Sequence, residues 1–163
     1  MMTLWRLSNR DTLGGISYPG GRWLAKGAPA VVLDPTPLSA ICSRLALAEA
    51  AHPRQLPHSY RLLEFEVPPR SIHAPAAPHG WHYDAEAARV FGHDWLDRGE
   101  FLLLRVPSIA GREQFLLNRQ HPDMALCRIQ SCTGYPFDGQ LDALQPFLAG
   151  QDWLARTNTE RGA

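Results

Sequence analysis

Gly20-Gly21-Arg22-Trp23-x-x-Lys26-Gly27, then Pro29-Ala30-Val31-Val32-Leu33, then Thr36-Pro37-Leu38, sets out a turn, a strand and a helix start in direct succession. Paired glycines allow positive φ and close approach of a ligand to the backbone. The arginine between them and a tryptophan carries five donors in a rigid fork that suits phosphate. The turn therefore reads as a pyrophosphate anchor or, more plainly, as a loop with a surface arginine. Ala30 to Leu33 is a short apolar run and reads as a buried strand. Thr36 is placed to cap a helix with Pro37 in its first turn.

Working outward, Thr3 to Leu7 reads as a first strand, and Gly14 to Gly27 as the glycine-rich loop. Leu38, Ile41, Leu45 and Ala48 recur at helical spacing, which predicts an amphipathic helix over 38–51, ended by His52-Pro53. Tyr60 to Val67 partly alternates and reads as a strand closed by Pro68-Pro69. Ile72 to His82 is rich in proline, alanine and histidine and reads as a surface loop. Asp84 to Arg98 reads as one or two short helices interrupted near Gly92. Phe101 to Val106, ended by Pro107, is the most hydrophobic strand candidate. Gln114 to Leu117 and Leu126 to Gln130 are further strands. Beyond Leu141 the pattern weakens: residues 142–163 read as a C-terminal extension, with Trp153 docking a last helix and Thr157 to Ala163 frayed. Strands outnumber helices and do not alternate with them regularly, so the expected class is α+β in one domain over residues 1–141.

The chain has 163 residues, 45% of them hydrophobic and 20% charged, enough for one domain with a real core. Its 16 basic and 16 acidic residues cancel, and no basic stripe argues for direct nucleic-acid binding. No run approaches the ~18–20 apolar residues of a membrane helix, and the N-terminus lacks a signal-peptide pattern. Three cysteines make no even framework, which favours a reducing cytoplasm.

Neither a strand–GxGxxG–helix unit nor a GxxxxGK[ST] loop is present, which argues against Rossmann and P-loop sites. His73, His79 and His82 sit in the proline-rich stretch and read as solvated loop histidines, not zinc ligands. Cys127 and Cys132 lack close pairing and read as ordinary buried or half-buried thiols. Ser108 follows Pro107 at the end of the apolar strand, where a hydroxyl can enter a cleft or simply cap a turn. Asn118 ends the next strand, just before His121-Pro122-Asp123, and its plain reading is also turn chemistry.

Taken in order, these pieces resemble the RES-domain family. The motifs are Leu4-Trp5-Arg6-Leu7, the glycine turn, Ala30 to Leu33, Thr36-Pro37-Leu38-Ser39-Ala40, Leu103 to Ser108, Phe115 to Asn118, His121-Pro122-Asp123 and Phe137-Asp138. They run from Leu4 to Leu141. The resemblance implies an ADP-ribosyltransferase-like split β-sheet core with flanking helices. It implies NAD⁺ as substrate, cleaved by hydrolysis or phosphorolysis or used to ADP-ribosylate a protein target. It implies no metal, and it implies a helix-turn-helix antitoxin as partner. By position it carries the family arginine to Arg22 and the family serine to Ser108, with Trp23, Lys26 and Asn118 as further NAD⁺-binding candidates. Two positions depart from the family pattern. Its usual tyrosine is Val32 and its usual glutamate is Ser43, so the third catalytic position holds a group that cannot carry negative charge. Glu49 lies about 240° further round the helix from Ser43. Asp34, Glu64 and Glu66 are the other nearby acids, and nothing in the pattern aims them at that position. A second reading is therefore a RES-like nucleotide- or partner-binding protein with lost or altered catalysis.

Overall fold

The computed structural model describes residues 1–108, 112–137 and 139–140; the expected C-terminal extension lies outside them. In chain order the elements are β1 (Met2–Ser8), β2 (Ala30–Leu33), α1 (Pro37–Leu47), β3 (Arg61–Val67), β4 (Ile72–His73), α2 (Ala85–Arg98), β5 (Leu103–Pro107), β6 (Glu113–Asn118) and β7 (Arg128–Gly134). Short 3₁₀ turns cover Pro53–Gln55, Pro69–Ser71 and Pro122–Leu126.

The strands form two sheets. One has the order β1-β3-β7 and is antiparallel throughout. The other has the order β2-β6-β5-β4, with only the β4–β5 pair parallel. Period-two alternation sorts the strand side chains into layers. Leu4, Val31, Leu33, Leu63, Phe65, Leu103, Phe115 and Leu117 meet between the sheets. On the outer face of the first sheet, Leu7 and Leu62 pack against Ile41 and Leu45 of α1. On the outer face of the second, Leu104, Val106 and Leu116 pack against Ala88 and Trp95 of α2 and against Trp23 and Leu24 of the glycine loop. The α+β architecture expected from the sequence is the one observed.

The sheets are joined at one edge. Trp5 and Asp34 exchange both backbone hydrogen bonds, at 2.7 and 2.8 Å, so β1 briefly pairs with the residue that follows β2. Asp34 is thus fixed at the split between the sheets.

Helix α1 begins where its cap requires. The Thr36 hydroxyl accepts from Ser39 N, and Ser39 Oγ accepts from Thr36 N, a reciprocal box that satisfies two terminal donors. The helix ends at Leu47 and not at Ala51. Glu49 takes φ 51°, in the left-handed region, and Ala50 N turns back to Leu45 O. Ala48 is consequently exposed.

Helix α2 is one continuous helix, not two pieces broken at Gly92. Gly92 is buried against the glycine loop, where an added Cβ would stand 1.9 Å from the Trp23 carbonyl oxygen. Its missing side chain is what lets helix and loop touch. The last strand also differs from expectation. Residues 122–126 are wound into a 3₁₀ turn capped by the His121 ring, so β7 starts at Arg128 and continues to Gly134. The loop expected over 72–82 contributes the two residues of β4 to the second sheet. No helix among the described residues is long and apolar enough to cross a membrane.

Candidate functional site

A cleft of about 620 Å³ opens between the glycine loop, the end of β1, Asp34, α1 and the β5–β6 end. That volume is in the range of small-molecule and cofactor sites. Among the described residues, four arginines line it (Arg6, Arg22, Arg44 and Arg112) with one acid, Asp34. In a chain of zero formal net charge, this concentration makes the cleft a local anion trap.

The loop that carries Arg22 is closed at its base, where Tyr18 N donates to Ala28 O and Gly27 N donates to Tyr18 O. Gly21 has φ 156° and faces the Tyr18 hydroxyl, which would stand 3.1 Å from an added Cβ. Helix α2 grips the loop from behind. Gly92 meets the Trp23 carbonyl, and Ala25 N donates to His93 Nε2 at 3.0 Å. Arg22 then reaches across to the segment before α2. Its Nη1 donates to Trp81 O at 2.9 Å, and its guanidinium sits 5.4 Å from the Trp81 ring centroid. Trp81 stacks on buried Trp23 at 5.5 Å. One nitrogen and one face of the guanidinium are thus committed to holding it, and the remaining donors are available to a ligand.

On the opposite wall Asp34, Ser43 and Gln114 form a closed triangle. Ser43 Oγ donates to Asp34 Oδ1 at 3.0 Å. Gln114 Nε2 donates to both Asp34 Oδ1 and Ser43 Oγ, at 3.3 and 3.1 Å. The β2–β6 register explains the meeting: its pairs run from Ala30↔Asn118 to Leu33↔Phe115, and one further step sets Asp34 opposite Gln114. Burial pushes the Asp34 carboxyl up to about 6, against the downward pull of its two hydrogen bonds and of Arg6 and Arg112. Arg6 donates from Nη1 to Val32 O, while its Nε is buried without a partner among the described residues. Burial, followed by repulsion from Arg44, draws the Arg6 guanidinium down to about 10.

Of the residues expected at a site, Arg22, Trp23, Ser43 and Ser108 all line this cleft, together with Val32. Ser108 is half-buried, and its amide donates to Arg112 O at 2.7 Å, which tightens the β5–β6 connection. Lys26 and Asn118 do not line it. Lys26 is exposed beyond the loop. Asn118 is buried at the end of β6, its side-chain oxygen accepting from Gln120 N, which is the turn role open to it from the start. Among the acids considered, Glu64 is taken up by Ser131 across β3 and β7, and Glu49 lies past the end of α1.

The sequence reading missed Arg6, Arg112, Gln114 and Trp81 as cleft residues, and it named Asp34 only as a nearby acid that nothing in the pattern aims at the site. One signal was present: Arg6 shares strand parity with buried Leu4, and a charge on the buried face of a strand is unusual. Of the histidines, His79 and His82 are exposed as expected, while His73 is half-buried and stacks on Phe101 at 4.7 Å. Cys127 is half-buried as expected, but Cys132 is exposed, because it lies on the outer strand of its sheet. Among the described residues no three His, Cys, Asp or Glu side chains are grouped to hold a metal.

Comparison with known families places these features. The family described as RES domain matches residues 3–140. The chain belongs to the RES domain family. Among solved structures, this RES domain is similar to the toxin chain in the crystal structure of the M. tuberculosis MbcT–MbcA toxin–antitoxin complex. The TM-score is 0.60 at 16% identity, covering 82% of this chain and 83% of that one. The likeness shows that the two chains share a fold, here two sheets and two helices in one α+β domain. A comparison with curated proteins finds no match.

Proposed function

We propose that this RES domain is the toxin of a toxin–antitoxin pair and acts on NAD⁺, cleaving the nicotinamide–ribose bond by hydrolysis or phosphorolysis or passing ADP-ribose to a protein. The observation that carries the reading is the cleft itself: four arginines against one carboxylate, with Arg22 held on Trp81 beside a glycine turn. A pyrophosphate flanked by two ribosyl groups is the kind of anion such a fork recognises. In this reading Arg22 grips the pyrophosphate, Trp23 and Trp81 form the apolar wall beside it, and Ser108 orients the nicotinamide or its ribose. Lys26 and Asn118 have no part in it, since both lie off the cleft.

The MbcT–MbcA structure is of a toxin–antitoxin complex, and the fold shared with it supports a similar pairing here. The proposed partner is a helix-turn-helix antitoxin that covers the cleft. DNA contact would come through that partner, since this chain has no net positive charge. A cytoplasmic setting agrees with free thiols and with NAD⁺ as substrate.

Val32 and Ser43 favour a second reading, a RES-like nucleotide- or partner-binding protein with lost or altered catalysis. One experiment separates the two. Purified protein is incubated with NAD⁺, with and without phosphate, while nicotinamide release is followed and growth of bacteria expressing the protein is recorded. The toxin reading expects release and growth arrest. NAD⁺ binding with no release and harmless expression would establish the second reading instead.

A further inference from the structure

We infer that Asp34 is the catalytic carboxylate of this cleft, placed against the ribosyl centre from which nicotinamide departs. The inference rests on the NAD⁺ reading and deepens it.

The required chemistry is specific. The bond between ribose C1′ and the nicotinamide ring nitrogen breaks heterolytically. Its electron pair stays on the ring nitrogen and discharges the pyridinium. The ribose is left with oxocarbenium character until a water oxygen bonds to C1′ and releases its proton to solvent. In phosphorolysis a phosphate oxygen takes the place of water. A fixed negative charge beside C1′ stabilises that cation as it forms, and in a dry cleft it does so far more strongly than in water.

Asp34 is the one acid among the described residues that line the cleft. It is 4% exposed, and its backbone is pinned on both sides of the peptide by the exchange with Trp5. Ser43 and Gln114 fix its side chain through Oδ1, and Oδ2 accepts no hydrogen bond from a described residue. Two donors on one oxygen orient the group while leaving the other oxygen for a cationic centre. Arg22, on the opposite wall, would hold the pyrophosphate while the wall of Asp34 meets the ribose.

The same geometry predicts a pH response. The charged and titratable groups acting on the carboxylate are Arg6 from β1 and Arg112 ahead of β6, with Cys42 of α1 beside it; Arg44 of α1 and Arg22 of the loop line the same cleft. Burial outweighs their influence and that of the two hydrogen bonds, so the carboxyl is protonated below about 6. The ionised form is the useful one, and activity falls as pH drops through that value.

The test follows nicotinamide release by the full chain and by Asp34→Asn across about pH 5 to about pH 9, with melting temperature and NAD⁺ affinity recorded for both. Wild-type kcat is expected to fall below the titration of Asp34. Asp34→Asn should lose about 100-fold in kcat at neutral pH while keeping NAD⁺ affinity within about threefold. An active wild type with an Asp34→Asn variant equally active overturns the role of Asp34 and leaves the NAD⁺ reading intact. A wild type that neither binds NAD⁺ nor releases nicotinamide overturns both. Should Asp34→Asn fail to fold, carbon-13 titration of the wild-type Asp34 carboxyl decides. Its midpoint should lie lower with carba-NAD⁺, which keeps the pyridinium charge, than with ADP-ribose, which has none. Equal midpoints would overturn the inference.

Discussion

The Ser43 hydroxyl donates to Asp34 Oδ1 at 3.0 Å, tying the middle of α1 to the residue that joins the two sheets. Ser43 stands where the RES resemblance expects a glutamate, so the carboxylate missing from the helix is present one hydrogen bond away on the adjoining strand end. In the proposed reading Ser43 holds the family position and Asp34 supplies the carboxylate.

Asp34 should make the fold less stable as pH rises. Its carboxyl is raised from an ordinary 3.8 to about 6, so the folded state holds the proton more tightly than the unfolded chain. The stabilisation is complete below the unfolded value and is lost as pH climbs through the folded one, by about 3 kcal/mol in all. Asp34→Asn removes that slope. Melting curves should show the variant gaining on the wild type between about pH 4 and about pH 8, in the direction opposite to its loss of activity. A melting difference that does not change with pH would contradict the burial of the charge.

Ser43→Glu provides a second check on the same wall. A new carboxylate beside Asp34 is a like charge at short range and should raise the pKa values of the pair. The acid limb of the activity profile is expected to move to higher pH, lowering nicotinamide release near neutrality. A variant several times more active at neutral pH, with an unshifted acid limb, would show instead that the site was waiting for its glutamate.

Gly92→Ala tests the contact between α2 and the glycine loop. The added methyl group meets the Trp23 carbonyl oxygen at 1.9 Å, and that oxygen belongs to backbone, which cannot swing away. Overpacking of this kind costs about 1–3 kcal/mol or more. The variant should melt several degrees lower and bind NAD⁺ more weakly, because the displaced loop carries Arg22. An unchanged melting temperature would mean that helix and loop do not touch as described.

Trp81→Ala removes the ring beneath Arg22 and the stack on Trp23. Loss of a cation–π contact and of an aromatic pair should weaken NAD⁺ binding by about tenfold, read by calorimetry. Affinity equal to wild type would show that Arg22 needs no such support.

Much of the frame was legible locally. Thr36-Pro37 declared the start of α1, and the apolar run Ala30 to Leu33 marked β2 to the residue. The end of α1 was not legible, since nothing in Ala48-Glu49-Ala50 announces a left-handed Glu49. Gly92 was misread because helix propensity counts a glycine as a break, whereas here it answers to a carbonyl 69 positions earlier in the chain. Arg22, Trp23, Ser43 and Ser108 could be placed from motif order, because each belongs to a locally recognisable piece: the glycine turn, the helix opened by Thr36-Pro37, and the end of the apolar strand. Asp34 with Gln114 could not: their meeting depends on the β2–β6 register, a pairing across 80 residues, and register is set by packing, not by local pattern.

The most direct test of the account is calorimetric titration of NAD⁺ into the wild-type chain and into Arg22→Ala. The cleft described above predicts saturable one-site binding by the wild type, weakened by about tenfold or more in the variant through loss of a charged, geometrically fixed contact. Binding of equal strength in both proteins, or none in the wild type, would contradict the assignment of this cleft to NAD⁺.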